Sequence, residues 1–529
     1  MKILLLKSPR SYLSHFTENS ESLALGYLAA VLRKSGFTVS ILDASLHGVS
    51  TQDTIKAILH DNYELIGFTI ADPTFIESSI EIINELRKHN VTAHITMGGH
   101  TPTFHYENIL NMCEGLNSIV MNEGELTIVA LATLLKKKVD WKKIKGIACR
   151  TISGIVCNPS RELIQNLDSL PFPERDTLPL VFTRENGYVS VAGGRGCPMN
   201  CGFCSIRAFY SVCDGPSWRV RSINNIIDEI EYLSKNFGVQ EIVMVDDIFV
   251  GPGKRNRERA FEFANEIKKR NIRIMMSIAE RVDNIDTILF ERLKEVGVRN
   301  VLIGIEAGNQ QMLDYFSKGI VLKDIEAAVA ILKRLNIGIT ASFINFTPET
   351  TIKQLKNDLQ FYGKLEINIL QGLLNRFQYY KGTPLGEKLR KENRVMGEFP
   401  EYMCLSVDER VNRVFDIAQR SLGNCLAMAN KLNTISRRLR FKAFKAEFDD
   451  PKILSVLENE TFIYNKCVNS INKDALKLLS EILDYVSVGI NLSNNEIDNY
   501  CHSMEETSSK KYQEWDKMLY AFEMLTCAK

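Results

Sequence analysis

The sequence predicts an α/β protein of three successive parts: an N-terminal Rossmann-like doubly wound parallel sheet, a partial (β/α)6 barrel of the TIM type, and a helical C-terminal domain. Short apolar runs alternate with amphipathic helical patterns over residues 1–145, and the alternation starts again over residues 185–385. Such alternation is typical of parallel strands joined by helices. Beyond residue 385 it ends, and residues 386–529 show helical patterns that are poor in glycine and proline.

The composition is that of a globular protein with several domains. The chain has 529 residues, 45% hydrophobic and 24% charged, with a formal net charge of +1. This charge provides no long-range attraction to nucleic acid, and no apolar run approaches the ~20 residues of a membrane span. The first residues have too short an apolar core for a signal peptide, and the cysteines form no paired framework. We therefore expect a cytoplasmic protein with no nucleic-acid or membrane partner.

The first part, residues 1–145, carries five short apolar runs that predict strands. These runs are Ile3–Leu6, Thr38–Leu42, Leu65–Ile70, Ala93–Met97 and Ser118–Met121. The helical patterns between them include Leu23–Lys34, Phe75–Lys88 and Glu125–Lys136. Because ligands of doubly wound sheets bind at the loops after the carboxyl ends of the strands, we expect a ligand there.

Residues 146–184 are predicted to form a linker, because Pro171 and Pro173 interrupt regular structure. The barrel over residues 185–385 then has six predicted strands. They are Tyr188–Val191, Glu241–Val245, Arg273–Ile278, Val301–Ile305, Thr340–Phe346 and Ile369–Phe377. Barrel enzymes carry their chemistry at the carboxyl ends of the strands, so the loop after the first of them is a candidate site.

That loop contains the most informative motif of the chain, Cys197, Cys201 and Cys204 with the spacing Cys-x-x-x-Cys-x-x-Cys. Three thiolates can hold three irons of a cubic [4Fe-4S] cluster and leave the fourth iron free to bind a substrate or cofactor. Most cluster proteins and structural zinc sites supply four protein ligands. A fourth ligand is missing locally, since the next thiol, Cys213, lies past an aromatic stretch.

The spacing, with Phe203 before the last cysteine, resembles the radical S-adenosylmethionine (SAM) superfamily. The resemblance implies that the open iron chelates SAM, and that an electron from the cluster cleaves SAM to methionine and a 5′-deoxyadenosyl radical. It also implies that residues at the barrel rim contact SAM. The predicted SAM-binding residues are Phe203, Asp247, Ser277, Arg281 and Glu306.

Each rim residue also has a purely structural interpretation. Asp246 and Asp247 could accept hydrogen bonds from a ligand or cap a helix. Arg281 could hold the SAM carboxylate with its planar fork, or form a surface salt bridge. Glu306 ends an apolar strand, where a charged residue is rarely buried without a partner, and the resemblance implies that it binds the amino group or ribose of SAM.

A Rossmann-like domain before such a barrel resembles the cobalamin-binding radical SAM family. The segments 97–102 and 122–125, Met-Gly-Gly-His-Thr-Pro and Asn-Glu-Gly-Glu, look like the glycine loops of that family. The predicted cobalamin-binding residues are Thr69, Asp72, Thr74, Gly98, Gly99, His100, Thr101, Glu123 and Gly124. The alternative is a flavodoxin-like domain with another ligand or none.

The first domain lacks the Asp-x-His-x-x-Gly motif through which other cobalamin carriers bind cobalt, since Asp43 and His47 are four residues apart and Gly48 follows at once. We therefore expect no histidine below the cobalt. The loop 71–75 is the candidate for its lower side, where Asp72 could hold an axial water. His100 is an alternative lower ligand, although a loop histidine of this kind more often contacts the edge of the corrin.

These features predict a cobalamin-dependent radical SAM methyltransferase that acts on an unactivated sp³ carbon of a small molecule or natural-product precursor. Tyr379 and Tyr380 are candidate catalytic residues at the cavity between corrin and substrate, or core aromatics. An external donor such as flavodoxin or ferredoxin would supply electrons. Alternatives are a non-methylating rearrangement or cyclisation, a tRNA methylthiotransferase, and a non-catalytic cobalamin carrier.

Residues 386–529 match no known pattern. Because a six-stranded barrel leaves an opening and radicals need shielding from water, we expect this region to lie over or beside the barrel mouth and contact the substrate. One segment, 431–445, is strongly basic, with Arg437, Arg438, Arg440, Lys442 and Lys445. It could be a solvated helix face or a site for an anionic substrate or a carrier-bound group.

Overall fold

The protein is described here by a computed structural model that covers residues 1–10, 19–488 and 493–527. The strands of its N-terminal sheet are β1 (Lys2–Lys7), β2 (Thr38–Asp43), β3 (Leu65–Thr69), β4 (His94–Gly98), β5 (Ser118–Val120), β6 (Ile147–Thr151) and β7 (Gly154–Cys157). The helices of this domain are α1 (Leu23–Lys34), α2 (Ala44–His47), α3 (Thr51–Leu59), α4 (Ile76–Lys88), α5 (His100–Met112) and α6 (Glu125–Lys136).

The strand order of this sheet is β2-β1-β3-β4-β5-β6-β7. The first five strands are parallel, and two antiparallel strands, β6 and β7, follow at one edge. In register, Leu5 lies opposite Ile41 on one side and Gly67 on the other. The doubly wound sheet is thus confirmed, and it continues beyond residue 145 into the segment predicted to be a linker.

The second part is built on a five-stranded parallel sheet with helices between its strands. The strands of this part are β8 (Val189–Val191), β9 (Gly194–Arg195), β10 (Arg219–Val220), β11 (Glu241–Met244), β12 (Met275–Glu280), β13 (Val298–Glu306) and β14 (Gly338–Phe343). The parallel sheet has the order β14-β13-β12-β11-β8, while β9 and β10 form a separate antiparallel ribbon. The helices are α7 (Leu178–Val181), α8 (Ser205–Ser211), α9 (Ile223–Phe237), α10 (Lys254–Lys269), α11 (Thr287–Glu295), α12 (Gln310–Tyr315), α13 (Leu322–Arg334) and α14 (Ile352–Leu365).

The sixth predicted barrel strand, Ile369–Phe377, is wrong as a regular strand. Its centre is a 3-10 turn, Leu370–Gly372, and its β pairing is one isolated parallel bridge between Phe346 and Arg376. The side-chain amide of Asn345 donates to the carbonyl oxygens of Gly372 and Leu373, at 3.0 and 2.9 Å. A side chain therefore satisfies backbone groups that a strand ladder would otherwise use.

The C-terminal region is predominantly helical, as predicted. Its elements are α15 (Pro384–Lys391), β15 (Met396–Glu398), β16 (Glu401–Met403), α16 (Glu409–Ser421), α17 (Asn424–Asp449), α18 (Leu454–Val488) and α19 (Asn494–Cys527). Apolar residues of α16 to α19 belong to the same hydrophobic core as the barrel strands. No helix within the described ranges has the length and apolar character needed to cross a bilayer.

Helix α17 lies across the amino-terminal ends of the barrel strands, at the opposite end from the cysteine loop. Its Arg437 binds Glu241, the first residue of β11, with Nε–Oε distances of 2.8 and 2.9 Å, and its Arg440 lies against Gly338, the first residue of β14. The expectation that the C-terminal region covers the barrel mouth is therefore wrong for this helix.

The hairpin β15–β16 approaches the other end of the barrel. The ring of Phe399 stacks on His105 of α5 at 4.5 Å, and Tyr402 packs edge-on against Tyr379 at 5.0 Å between ring centroids. This short hairpin thus contacts both the N-terminal domain and the barrel rim. We assign it to the mouth of the barrel.

A substitution in α17 should test its role in the barrel core. Ile435 is 1% exposed, so Ile435→Ala is expected to lower the free energy of unfolding by about 2–5 kcal/mol. Lys442→Ala, at an exposed position of the same helix, should change it by less than about 0.5 kcal/mol. Denaturant titration of both variants provides the measurement, and equal midpoints would show that α17 does not belong to the barrel core.

Candidate functional site

The cysteine loop leaves the barrel after β8, and two aspartates that follow the neighbouring strand β11 hold the residues at its start. The amide of Gly193 donates to Asp246 Oδ2 at 2.9 Å, and that of Gly196 donates to Asp247 Oδ2 at 3.1 Å. Gly196 has a φ of +81°, in the region that favours glycine. The two carboxylates thus fix the backbone that leads into Cys197.

Asp246 and Asp247 differ in their access to ligand. Burial raises the pKa of Asp246 to about 7 and that of Asp247 to about 6. Asp247 lines the cavity between the two domains, whereas Asp246 is 5% exposed and does not line it. Neither caps a helix, so the structure gives Asp246 a role in holding the loop and leaves Asp247 available to a ligand.

The three cysteines lie half-buried on the loop, near enough to one another for each thiolate to affect the pKa of another. Within the described residues, no three Cys, His, Asp or Glu side chains converge on a position for a single metal ion. A [4Fe-4S] cluster makes no such demand, because each of its irons takes its own thiolate. The donor set therefore fits a cluster better than a mononuclear site.

Arg281 lies beside this motif. Its Nη1 is 3.7 Å from Cys201 Sγ. Its Nε and Nη2 form a bidentate ion pair with Asp283 at 2.9 and 3.0 Å, and Nη2 also donates to the carbonyl oxygen of Lys318 at 2.8 Å. The structure thus places a fixed cation against the predicted cluster ligands. Its predicted contact with the SAM carboxylate stays a prediction, since most of its donors already have protein partners.

Glu306 ends β13 as a buried ion pair. Its Oε1 accepts from Lys318 Nζ at 2.7 Å and its Oε2 from Ser342 Oγ at 3.0 Å, and both members of the pair are at most 6% exposed. Glu306 has a φ of +63°, an unusual conformation for a non-glycine residue that is typical of functional positions. Lys318 was not anticipated from the sequence.

The segment that carries Lys318 also contacts the cysteine loop. The amide of Gly202 donates to the carbonyl oxygen of Phe316 at 2.8 Å, and the ring of Phe203 packs edge-on against Phe316 at 5.0 Å. Ser277, on β12, is half-buried. Ser277 lies within β12, whereas Asp247, Arg281 and Glu306 lie at the carboxyl ends of β11 to β13 and Phe203 lies on the cysteine loop. The contacts of all five residues with SAM stay predictions.

A cavity of about 360 Å³ lies between the carboxyl ends of the N-terminal strands and the ribbon β9–β10. Five of the predicted cobalamin-binding residues line it: Thr69, Gly98, Gly99, Glu123 and Gly124. Its apolar lining residues include Leu5, Leu23, Ala24, Leu28 and Ile128. A Cβ atom on Gly99, which has a φ of +108°, would lie 2.6 Å from the carbonyl oxygen of Ile70, so this position requires glycine.

Four of the predicted cobalamin-binding residues do not line this cavity. Asp72 caps the turn 73–75, accepting from the amide of Thr74 at 3.0 Å, and Thr101 Oγ1 donates to the carbonyl oxygen of Ala71 at 3.3 Å. The His100 ring stacks on Phe209 at 4.6 Å, and burial lowers the pKa of His100 to about 4. His100 is therefore a neutral imidazole packed at the domain junction.

Glu123 and Glu125 form an ion-pair network with two arginines of the ribbon. Arg195 donates to Glu123 Oε1 at 2.9 Å and to Glu125 Oε1 at 2.5 Å, and Arg219 donates to both oxygens of Glu123 at 3.0 and 2.9 Å. The amide of Ile164 donates to Glu123 Oε2 at 2.8 Å. The Glu123 side chain thus joins the glycine loop to the strand before Cys197, and its predicted contact with cobalamin stays a prediction.

Neutralising Glu123 should loosen this junction. Glu123→Gln is expected to lower the free energy of unfolding by about 3–5 kcal/mol, because it leaves the buried guanidinium of Arg219 without a charged partner. The matched control is Glu114→Gln at an exposed position of the same domain. Denaturant titration and the amount of cobalamin retained after gel filtration are the measurements. If the two variants behave alike, the network does not couple the domains.

The candidate catalytic tyrosines lie between the two domains. Burial, then the nearby Asp72 and Cys204, raise the pKa of the Tyr380 phenol, and its hydroxyl donates to Gln378 Oε1 at 2.6 Å. Tyr379 packs against Tyr402 of the hairpin instead. Tyr380 is thus the better placed of the two for contact with a reacting group, and its catalytic role stays a prediction.

Comparison with known proteins agrees with this geometry. Residues 9–132 match the B12 binding domain and residues 191–362 match the radical SAM superfamily. An uncharacterised methyltransferase of Pyrococcus horikoshii is 30% identical over 391 residues, which are 73% of this chain and 83% of that protein. The anaerobic magnesium-protoporphyrin IX monomethyl ester cyclase of Rubrivivax gelatinosus is 28% identical over 62% of this chain and 60% of its own length.

Solved structures show the same fold. OxsB, a cobalamin-dependent SAM radical enzyme solved with aqua-cobalamin and SAM, aligns with a TM-score of 0.73 at 20% identity, over 99% of this chain and 80% of its own. The radical SAM methyltransferase TsrM of Kitasatospora setae aligns with a TM-score of 0.62 at 18% identity, over 74% and 76%.

A B12 binding domain joined to a three-cysteine barrel defines a class of enzymes that use a [4Fe-4S] cluster, SAM and cobalamin together. This chain belongs to that class, the cobalamin-binding radical SAM family.

Proposed function

We propose that the protein is a methyltransferase that transfers the methyl group of SAM to an unactivated sp³ carbon of a small molecule. The observation that carries the proposal is the arrangement of the cysteine loop. On one side the loop contacts Arg281 and the segment that carries Lys318, the partner of Glu306. On the other side it continues from the ribbon β9–β10, which borders the cavity of the B12 binding domain. Both cofactor regions thus meet at one loop.

When bound, the cluster with SAM supplies an organic radical and cobalamin supplies a methyl carrier, and the protein contributes binding, orientation and exclusion of water. Glu306 would accept from the amino group or ribose hydroxyls of SAM, while Lys318 and Ser342 hold its carboxylate in position. Arg281 would provide positive charge beside the thiolates and near the SAM carboxylate. Tyr380 and the hairpin β15–β16 would shield the reaction from solvent.

The cavity between the domains fits part of cobalamin. The glycines in its lining permit close approach of a large ligand. Its apolar lining residues suit a planar aromatic group such as the dimethylbenzimidazole of the cobalamin tail. His100, the histidine considered as an alternative lower ligand, packs against Phe209 instead. This packing supports a lower side of cobalt without a histidine. We propose that no histidine binds the cobalt from below and that the loop 71–75 lies on that side.

Methyl transfer is favoured over the alternatives by the relatives. The uncharacterised methyltransferase is 30% identical to this chain, and the hopanoid C-3 methylase of Methylococcus capsulatus is 24% identical over 64% of this chain and 63% of its own. The second candidate function is a cyclisation, favoured by the 28% identity to the magnesium-protoporphyrin cyclase. We further propose a cytoplasmic location, a flavodoxin or ferredoxin as electron donor, and no nucleic-acid partner.

Labelled SAM distinguishes these functions. With substrate, a reductant and SAM that carries a labelled methyl group, the enzyme is expected to form both S-adenosylhomocysteine and 5′-deoxyadenosine and to place the label on an sp³ carbon. The nucleosides are measured by chromatography and the product by mass spectrometry and NMR. 5′-Deoxyadenosine with an unlabelled, cyclised product would contradict methyl transfer and support the cyclase function.

A further inference from the structure

A second cavity, of about 500 Å³, lies at the amino-terminal ends of the barrel strands, between the barrel and helices α17 and α18. Arg299 and Asn300 at the start of β13 and Gly338 at the start of β14 form its barrel side. Since the cysteine loop follows the carboxyl end of β8, this cavity is at the opposite end of the barrel from the cluster. Its volume is in the range of small-molecule sites.

Arg440 supplies an unmatched positive charge to this cavity. Among the described residues it has no ion-pair partner. Its Nη1 donates to Ser436 Oγ at 2.5 Å, while its Nε is buried without a hydrogen-bond partner. Glu241, the carboxylate that affects its pKa, is already bound by Arg437 at 2.8 Å. Arg440 is half-buried. A guanidinium whose Nε is buried with neither a hydrogen-bond partner nor a counter-ion is costly, and an anion in the cavity would remove that cost.

The other charges of the cavity do not neutralise Arg440. Arg299 pairs with Glu447 at 2.6 Å, and Lys333 pairs with Glu366 at 2.8 Å. The remaining charged lining residues are Lys294, Arg440 and Glu458, so the cavity carries one formal positive charge in excess. This balance favours a ligand of negative charge.

The cavity is also rich in side-chain amides. Six asparagines line it: Asn300, Asn336, Asn368, Asn433, Asn465 and Asn469. The Oδ1 atom of Asn300 is buried without a donor, and it lies with Arg440 Nη1 against Gly338, where a Cβ atom would collide with both. Amides donate and accept, as hydroxyl groups do, so the lining pairs an anion-binding guanidinium with groups that recognise hydroxyls.

We propose that this cavity binds a small oxyanion that carries several hydroxyl groups, with the anionic group on Arg440 and a hydroxyl donating to Asn300. Sugar phosphates and polyhydroxy carboxylates share this chemistry. Because α17 contacts the first residues of β11 and β14, the ligand would brace the barrel from the end remote from the cofactors. The basic segment predicted from the sequence is thus in part an anion site, but it is not at the mouth where substrate reacts.

The test is calorimetric titration of the full-length, cofactor-loaded enzyme with four probes: ribose 5-phosphate, gluconate, inorganic phosphate and ribose. We expect saturable binding of ribose 5-phosphate or gluconate, and the stronger of the two identifies the anionic group. Phosphate, which lacks alcohol hydroxyls, and ribose, which lacks charge, should each bind at least about tenfold more weakly. Binding of neither hydroxylated anion, or equal binding of ribose, would overturn the proposal.

Variants locate the site. Arg440→Met should weaken binding by about 10- to 100-fold, the range for loss of charged hydrogen bonds. Arg438→Met is the matched control, because Arg438 is exposed on the same helix and pairs with Glu523. Should Arg440→Met fail to fold, Asn300→Asp offers an independent test, since a carboxylate beside Arg440 should stabilise the protein and abolish binding. Unchanged binding in Asn300→Asp would refute the assignment.

Discussion

Replacing Cys197, Cys201 or Cys204 with alanine is expected to abolish both cluster binding and SAM cleavage. Each thiolate would ligate a separate iron, so no remaining ligand can compensate for its loss. After anaerobic reconstitution, iron should fall from about four per chain to a small fraction of that value. Electron paramagnetic resonance should show no reduced cluster whose spectrum changes on addition of SAM.

Cys213 provides the control for this series. It lies nine residues beyond Cys204 in the sequence and is 8% exposed, and the groups that act on its thiol include Ser160 and Glu123. Cys213→Ala should keep the iron content and the SAM-dependent change of the spectrum. A triple variant of the loop cysteines that still holds a full cluster would exclude the assignment of these residues.

Replacing Glu306 with alanine should remove stability and activity together. The change leaves Lys318 as a buried cation that has lost its partner at 2.7 Å, which is expected to cost about 3–5 kcal/mol of unfolding free energy. Both S-adenosylhomocysteine and 5′-deoxyadenosine should fall, because SAM is oriented by the same carboxylate in both uses. Denaturant titration and chromatography of the two nucleosides are the measurements.

The double variant Glu306→Ala with Lys318→Met separates the two effects. Removing both charges should restore most of the stability, since neither partner then remains buried alone. Activity should stay low if Glu306 contacts SAM. Recovery of both nucleosides in the double variant would mean that Glu306 acts only by neutralising Lys318.

Much of the fold followed from patterns of apolar residues. The strand predicted at Thr38–Leu42 is Thr38–Asp43, and the one predicted at Leu65–Ile70 is Leu65–Thr69. The second of these strands has four buried residues in succession, so it is buried on both faces and has little freedom to adopt another structure. The run Ile369–Phe377 is equally apolar, but Gly372 lies against Phe343 and a distant asparagine holds the local carbonyls. The pattern of apolar residues in the sequence does not indicate contacts between residues so far apart in the chain.

The site was predictable where one local motif carries the chemistry, and not where charges meet across the chain. The cysteine spacing alone predicted a cluster loop after the first barrel strand, and the structure places the three cysteines half-buried on one loop there. The partnership of Glu123 with Arg219 spans 96 residues, and the pair of Glu306 and Lys318 spans 12. An arginine or lysine in the sequence is usually exposed, so only the folded geometry shows that these are buried.

The placement of α17 could not be predicted for a related reason. An amphipathic sequence pattern indicates that one face of a helix is buried, but it does not indicate which surface covers that face. From the sequence, the basic residues of 431–445 predicted a solvated helix face or a site for an anionic substrate or a carrier-bound group. In the structure Arg437 and Arg440 instead point to the starts of two barrel strands.

The network of Glu123, Glu125, Arg195 and Arg219 has a consequence for protein engineering and for the history of the family. Its four members come from two modules that are separable in sequence, yet each carboxylate is buried against the other module. A B12 binding domain from a relative can therefore replace this one only if it brings both glutamates, or if the ribbon arginines are exchanged with it. Recombination between such modules should leave compensating changes at these four positions.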